Sequence, residues 1–475
     1  MKSFLFLIIF LLFSVFDMNS QTVMSLEECI QLAQENSISV KQSYLTNSDA
    51  IVLEKYARQQ LLPSLNSSTD VSYNLGRSID PTTNDFLTES FTSQRYSINS
   101  MLTLYNGGKL RNSIKQAMMN RKATEKDIEQ MKRDVALLVA NTYLSILYAK
   151  ENLANAQNQY NATKEQLEKM HKLIKSGLQA PTAALNLEAQ LLSDEQVIIS
   201  RKNDLEKFYL DLKNILLLDD SVNLQIEIPV IDVDKLSMPE LKTVNELYNA
   251  SLQHYPAFAA AEYRIKSAEY QNKIAAAALL PSVNFYAGLS TNYANRAKKL
   301  IGTNQVVNDQ TVIFNGQEVT IGFPVTVPVF GDYKYFDQLR DNAGVGLALQ
   351  ISVPIYNRYA VRSQIQRTKL NIESAKLSRE KIVQNVKSNI QVSFADAKSS
   401  RLQYFAASKA YEAQKAAFEN AKKQFDIGAL GTYDYLNAKS MFEQSVNTLL
   451  ISKYTYLFKT KILEFYLGEN LSFKN

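Results

Sequence analysis

The sequence predicts a mainly helical chain that adds a small amount of membrane-type β-strand, laid out as two copies of one unit. Three observations predict it. Gly (14) and Pro (10) are so scarce in 475 residues that long uninterrupted helices are favoured. Four segments alternate apolar and polar residues over about ten positions, as membrane strands do. LLPSLN (61–66) recurs as LLPSVN (279–284), 218 positions on.

Composition narrows the function classes. With 46% apolar residues, 26 Tyr and 22 Phe, the chain has ample material for a core, and disorder is excluded. The 52 Lys and Arg exceed the 47 Asp and Glu by only five, and the charges are interspersed, as in RKATEKDIEQMKR (121–133). No concentrated basic patch marks a nucleic-acid binder. The single Cys, Cys29, forms no internal disulfide and no cysteine-based zinc site. The two His, His171 and His254, lie far apart, which leaves little for a metal or nucleophilic centre. No cofactor, metal site or catalytic group is expected.

Residues 1–20 read as a signal peptide. Lys2 is a minimal basic region, and the run Phe4–Phe16, interrupted only by Ser14, suits an export signal better than a membrane span. Cleavage before Gln21 leaves Ser20 at −1 and the bulky Met18 at −3. A buried helix or an anchor is the competing reading. Downstream, the strongest apolar run is IAAAALL (274–280), too short for a transmembrane helix, so any membrane crossing falls to strands.

The repeat fixes the domain plan. The offset of 218 also lays Leu26 and Glu28 on Val244 and Glu246. Further on an offset of 251 lays Tyr105, Asn106 and Arg111 on Tyr356, Asn357 and Arg362, and Gly177 and Leu185 on Gly428 and Leu436. The excess of 33 is an insertion in the second copy. Repeat 1 therefore spans 21–220, a linker 221–241, repeat 2 242–467 and a tail 468–475. Each repeat opens with a helix (24–60; 242–278), which Pro63 or Pro281 ends.

Two alternating segments follow in each repeat. In VGLALQISVPI (345–355), Val345, Leu347, Leu349, Ile351 and Val353 share one face, and Pro354 tolerates only a strand end. Tyr96, Ile98, Leu102 and Leu104 repeat the pattern, and Leu65–Leu75 and Val283–Thr291 are weaker partners. Tyr73, Tyr96, Tyr105, Tyr286 and Tyr356 are expected near strand ends as an interfacial girdle. A pair of half-buried soluble hairpins is the competing reading. Four strands are too few for a closed membrane barrel, whose minimum is about eight, and open edges are forbidden in lipid. Strands in a membrane thus require several chains per barrel. The connection 292–344 holds the insertion and reads as an enlarged external loop, with a small hairpin at Asn315-Gly316. It either touches surface partners or caps a pore.

From Gly108 to Ser176, and again over 358–427, no Gly or Pro interrupts the chain, so each helix would reach on the order of 100 Å. Ile128, Met131, Val135 and Leu138 follow the 3-4 spacing of a coiled coil. Gly177 and Gly428 terminate these helices. Returning helices (181–218; 432–467) start at Pro181 as a first-turn residue and at Thr432 as N-cap.

This order of elements, with the segments Ser176-Gly177-Leu178 and Ile427-Gly428-Ala429, resembles the TolC family of outer-membrane efflux and secretion channels. The resemblance covers essentially all of the chain after residue 20. It implies a homotrimer whose four strands per chain close one 12-stranded β-barrel in outer-membrane lipid, continued by a hollow antiparallel coiled-coil α-barrel in the periplasm. It also implies docking of a periplasmic adaptor (membrane fusion) protein at those two tip segments, and an inner-membrane pump behind it. The duct would serve a tripartite efflux pump or type I secretion, with no nucleic acid and no chemistry of its own. Thr432–Asn437 matches the family's gate stretch: Asp434 takes the first acidic position, and Asn437 replaces the second. Three Asp434 carboxylates would form an anionic ring; the alternative is a helix-dipole role in the first turn. The family's polar latch positions hold Phe425 and Leu430, while Ala183 and Asn186 are the first-repeat equivalents of Asp434 and Asn437. The alternative to a channel is a periplasmic coiled-coil adaptor or structural protein.

Overall fold

The computed structural model describes residues 22–79, 86–88, 90–219, 221–229, 244–469 and 471. The expected signal peptide, the core of the linker and most of the tail lie outside them. The described residues divide into two compact units. One comprises residues up to Val52, Met118–Ser267 and residues from Ile372 on; the other comprises Leu53–Ala117 and Ala268–Asn371.

The first unit is helical. β1 (Thr22–Met24) pairs in parallel with β6 (Leu224–Ile226). α1 (Leu26–Asn36) starts on a capping box: the Ser25 hydroxyl accepts from the Glu28 amide, and the Glu28 carboxylate accepts from the Ser25 amide. α2 (Ile38–Gln59), α3 (Lys109–Lys175), α4 (Pro181–Leu216), α5 (Val244–His254), α6 (Pro256–Ala277), α8 (Ala360–Asp426) and α9 (Thr432–Tyr466) follow, and α2, α3, α6 and α8 supply residues to both units. α3 and α8 have 67 residues each, or about 100 Å of helix. Cys29, Ala33, Val40, Val139, Tyr143, Ile146, Leu212 and Leu216 form the main core. The Tyr143 hydroxyl there donates to the Glu227 carbonyl at 2.6 Å. Burial, helped by Glu28, pushes the Cys29 thiol up to about 12, so it is an inert apolar position.

The opening helix of each repeat is two helices, not one. At Ser37 the backbone leaves the helix (φ −47°, ψ 124°) and restarts at Ile38. In the second copy Pro256 forces the break, since proline disfavours helical geometry at Tyr255 while suiting the first turn of α6.

The second unit holds the other strands. β2 (Ser64–Asn74), β5 (Phe91–Asn106), β7 (Ser282–Ala294) and β10 (Gly344–Ser352) form one antiparallel sheet in the order β10-β7-β5-β2. All residues of β10 and nearly all of β2 are exposed, so the sheet has two bare edges and an uncovered apolar face carrying Val345, Leu347, Leu349 and Ile351. A two-residue pair, β3 (Ser78–Ile79) and β4 (Phe86–Leu87), lies in the first connection. The tyrosine girdle is only partly realised. Tyr286 sits mid-strand opposite Met101 and Ala348, and the Tyr96 hydroxyl bonds Tyr335 at 2.8 Å.

The second connection is not a loop. β8 (Lys298–Phe314) and β9 (Gln317–Asp332) make a long two-stranded ribbon, and α7 (Tyr335–Asp341) follows. The turn does fall at Asn315-Gly316, both at positive φ (54° and 77°), as a two-residue hairpin turn requires. The ribbon is far longer than a small hairpin because Pro324 and Pro328, which read as loop punctuation, sit within β9.

Candidate functional site

The sequence singles out the two helical tips, and both belong to the helical unit. Each long helix ends in the same way. At the first tip the Gly177 amide donates to the Ile174 carbonyl (2.9 Å) and the Leu178 amide to the Leu173 carbonyl (2.9 Å). At the second the Gly428 amide donates to Phe425 (3.0 Å) and the Ala429 amide to Gln424 (2.8 Å). These are paired Schellman closures, and they need a left-handed residue, which Gly177 (φ 75°) and Gly428 (φ 76°) supply. Around Gly177 nothing would obstruct a Cβ, and around Gly428 only the Gln179 amide lies near, at 3.9 Å, so the cost of a side chain is backbone strain alone. Gly428→Ala is expected to cost about 1–2 kcal/mol, read as faster amide exchange in the last turn of α8 with the rest of the unit unchanged.

Pro181 is the first residue of α4, as its fixed φ favours. Thr432, expected as N-cap, is instead the first residue of α9. Gly431 holds the cap position in extended geometry, with no side-chain hydrogen bond.

Beneath the tips, one cluster joins α3, α4, α8 and α9. Leu167, Met170, Ala183, Ala184, Leu187, Phe425 and Tyr435 are buried in it, with Leu430 and Phe418 packed alongside. The Phe425 and Tyr435 rings stack at 4.5 Å, and Phe418 stacks on Phe442 at 5.1 Å. The predicted residues therefore separate into two groups. Phe425, Leu430 and Ala183 come together in the packing of this one chain. Asp434, Asn437 and Asn186 point to the exposed surface, with Asp434 in the first turn of α9. Ser176, Gly177, Leu178, Ile427, Gly428 and Ala429 are all exposed. Leu178 (70%) and Ile427 (80%) present unusually bare apolar side chains at the turns, as does Tyr433 (77%).

A buried charge network above the cluster escaped the sequence reading. The Lys439 ammonium on α9 lies 2.8 Å from Asp194 Oδ2 on α4, with side chains only 5% and 7% exposed, and 3.0 Å from Glu443 Oε1. The Thr163 hydroxyl on α3 bonds both Lys439 and Asp194. Gln190 Nε2 donates to the other Asp194 oxygen at 2.8 Å. Burial pushes the Glu443 carboxyl above the usual range, against the pull of Lys439. The available signal was a lysine four residues after Tyr435, on the face of α9 that turns inward. Next to this network a polar cavity of about 500 Å³ is lined by residues that include Asn152, Gln159, Asp194, Arg201 and Asn447. No group of His, Cys, Asp and Glu among the described residues is arranged to hold a metal. The tips thus present exposed apolar side chains, the exposed Asp434 and two fixed helical turns.

A model of the family described as outer membrane efflux protein matches residues 29–216 and 247–469. The chain belongs to this family, that of TolC. Outer membrane protein TolC of Salmonella enteritidis is 22% identical over 483 residues, covering 98% of this chain and 86% of that protein. Among solved structures, CusC superposes with a TM-score of 0.75 at 17% identity, over 94% of this chain and 92% of its own. The CmeC outer-membrane channel of Campylobacter jejuni gives 0.73 at 19% identity, over 94% and 86%. As an outer membrane efflux protein the chain is a conduit of the outer membrane and not an enzyme. No described helix is long and apolar enough to cross a membrane.

Proposed function

We propose that the protein is the exit duct of a tripartite efflux pump or a type I secretion system. Three copies share one 12-stranded barrel and continue it as a hollow helical tube. Transport through it is passive, driven by an inner-membrane pump that a periplasmic adaptor couples to the tips. The observation that carries this reading is the four-stranded sheet, apolar on one face and bare at both edges. Lipid tolerates no unpaired strand edge, so neighbouring copies must pair β10 with β2 around a ring. The helices lend support. Leu185, Leu192 and Ile199 recur every seven residues along α4 and are all exposed in the single chain. A seam of that period asks for a helix from another copy. The matching order of elements in 22–216 and 244–466 supports two tandem repeats, with the boundaries read from the sequence.

In this arrangement Leu178 and Ile427 are the apolar knobs an adaptor would grip, beside Ser176, Gly177, Gly428 and Ala429. Asp434 and Asn437 of three copies ring the entrance, with Asn186 and Ala183 behind them. Phe425 and Leu430 hold each tip together from within. In planar bilayers the purified protein is expected to conduct ions with a preference for cations, and Asp434→Asn is expected to reduce that preference. Inserted protein that conducts nothing would overturn the duct reading.

A further inference from the structure

The ribbon β8–β9 has no extensive contact with any element beyond its own two strands. An isolated two-stranded hairpin is marginal in water, and one this long needs a covering partner. Its base is nonetheless pinned. The Gln338 side chain of α7 both donates to and accepts from the Ala294 backbone at the end of β7 (3.1 and 2.9 Å), and Lys299 lies 3.2 Å from Asp341. The ribbon is thus rooted where β7 ends, next to β10, whose outer edge a neighbouring copy must close.

The register decides how it can be covered. Pro324 lies opposite Val307 and Pro328 opposite Thr303. Proline has no amide to give, so these pairs are the non-hydrogen-bonded ones of the antiparallel ladder. Thr320, Gly322, Pro324, Thr326 and Pro328 therefore direct their backbone outward, and two of these five positions lack a donor. The free edge of β9 is blocked, and ribbons of adjacent copies cannot join β8 to β9 as a second barrel. One face is left. On it Val319, Ile321, Phe323, Val325 and Val327 run consecutively along β9, each between 41% and 46% exposed, with Val306 and Val312 across from Val325 and Val319. β8 adds the polar Asn304, Asn308 and Gln310 to this face, opposite Val327, Phe323 and Ile321, so its apolar stripe runs along β9. The opposite face carries Thr303, Gln305, Asp309, Thr311, Thr320 and Thr326, interrupted by Val307 and Ile313.

We infer that this apolar face is an interface with the same face of other copies of the chain, the three ribbons packing face to face about their common axis above the shared barrel. The inference rests on the three-copy reading above. Area selects the occupant. Seven side chains at this exposure leave on the order of 500 Å² per copy, less than the roughly 800 Å² per partner of a free-standing complex. Such a face is too small to recruit a separate protein, and it is enough to close between chains that the barrel already holds together.

The test is cysteine cross-linking of the full-length protein in envelopes, in a Cys29→Ala background. Val325→Cys is expected to shift chains to a disulfide-linked dimer on a denaturing gel, up to two of every three copies. Thr326→Cys, one residue along and on the opposite face, is expected to stay monomeric. If a native gel shows the trimer intact while Val325→Cys cross-links no more than Thr326→Cys, or links to another envelope protein instead, the ribbon proposal is overturned. Absence of the trimer in the parent protein would overturn the three-copy reading, and the ribbon interface with it.

Discussion

Lys439→Met is expected to destabilise the helical unit by about 3 kcal/mol, the lower end of the 3–5 kcal/mol seen when one partner of a buried ion pair is removed. Asp194 would remain buried and charged without its cation. The cost sits at the low end because Asp194 keeps two donors, Gln190 and the Thr163 hydroxyl. Glu443, already pushed toward its neutral form, can protonate rather than stay charged. The double variant Lys439→Met, Asp194→Leu is expected to recover most of the loss, because apolar replacement of a buried pair is often neutral. The helical circular dichroism signal followed through urea unfolding in detergent measures both. Equal stability of parent and single variant would mean that the pair is hydrated and pins nothing. The network ties α9 to α3 and α4 near the tips.

Leu349→Arg is expected to cost about 2–4 kcal/mol of barrel stability, the penalty for a cation on the lipid face near the bilayer midplane. Leu349 lies opposite Phe285 in the middle of the sheet, on the apolar face of β10. Gln350→Arg, next in sequence and on the other face opposite Asn284, is expected to change stability by less than about 1 kcal/mol. The comparison is read from the urea midpoint of the barrel reconstituted in lipid. Equal penalties at both positions would mean that the alternation does not separate lipid from lumen, and the strands would then be soluble hairpins.

What was legible in the sequence were features with a period or a punctuation. Alternation located β2, β5, β7 and β10 to within a few residues, and the empty stretch between Gly108 and Ser176 announced α3. Gly177 and Gly428 marked the two helix ends because only a residue at ease with positive φ closes a Schellman turn. The break at Ser37 was not legible, since one serine among helix formers carries no stop signal, whereas Pro256 carried one that the repeat pattern masked. The ribbon was hidden by its own prolines. They read as a loop until the ladder shows that both sit where no amide is needed.

At the tips, the family resemblance could name Phe425, Leu430 and Asp434 but could not say which way each faces. That depends on four helices meeting, and it puts Phe425 on Tyr435 while leaving Asp434 outside. Thr163, Asp194 and Lys439 come from three helices, and nothing local in the sequence joins them.

Single-particle imaging of the protein extracted from envelopes in detergent tests the shared barrel most directly. The account predicts three copies about one axis, with twelve strands closed in a ring by pairing of β10 with β2 of the next copy and a lumen running on into the helices. A compact monomer released without detergent, or a ring whose sheet edges remain unpaired, would contradict it.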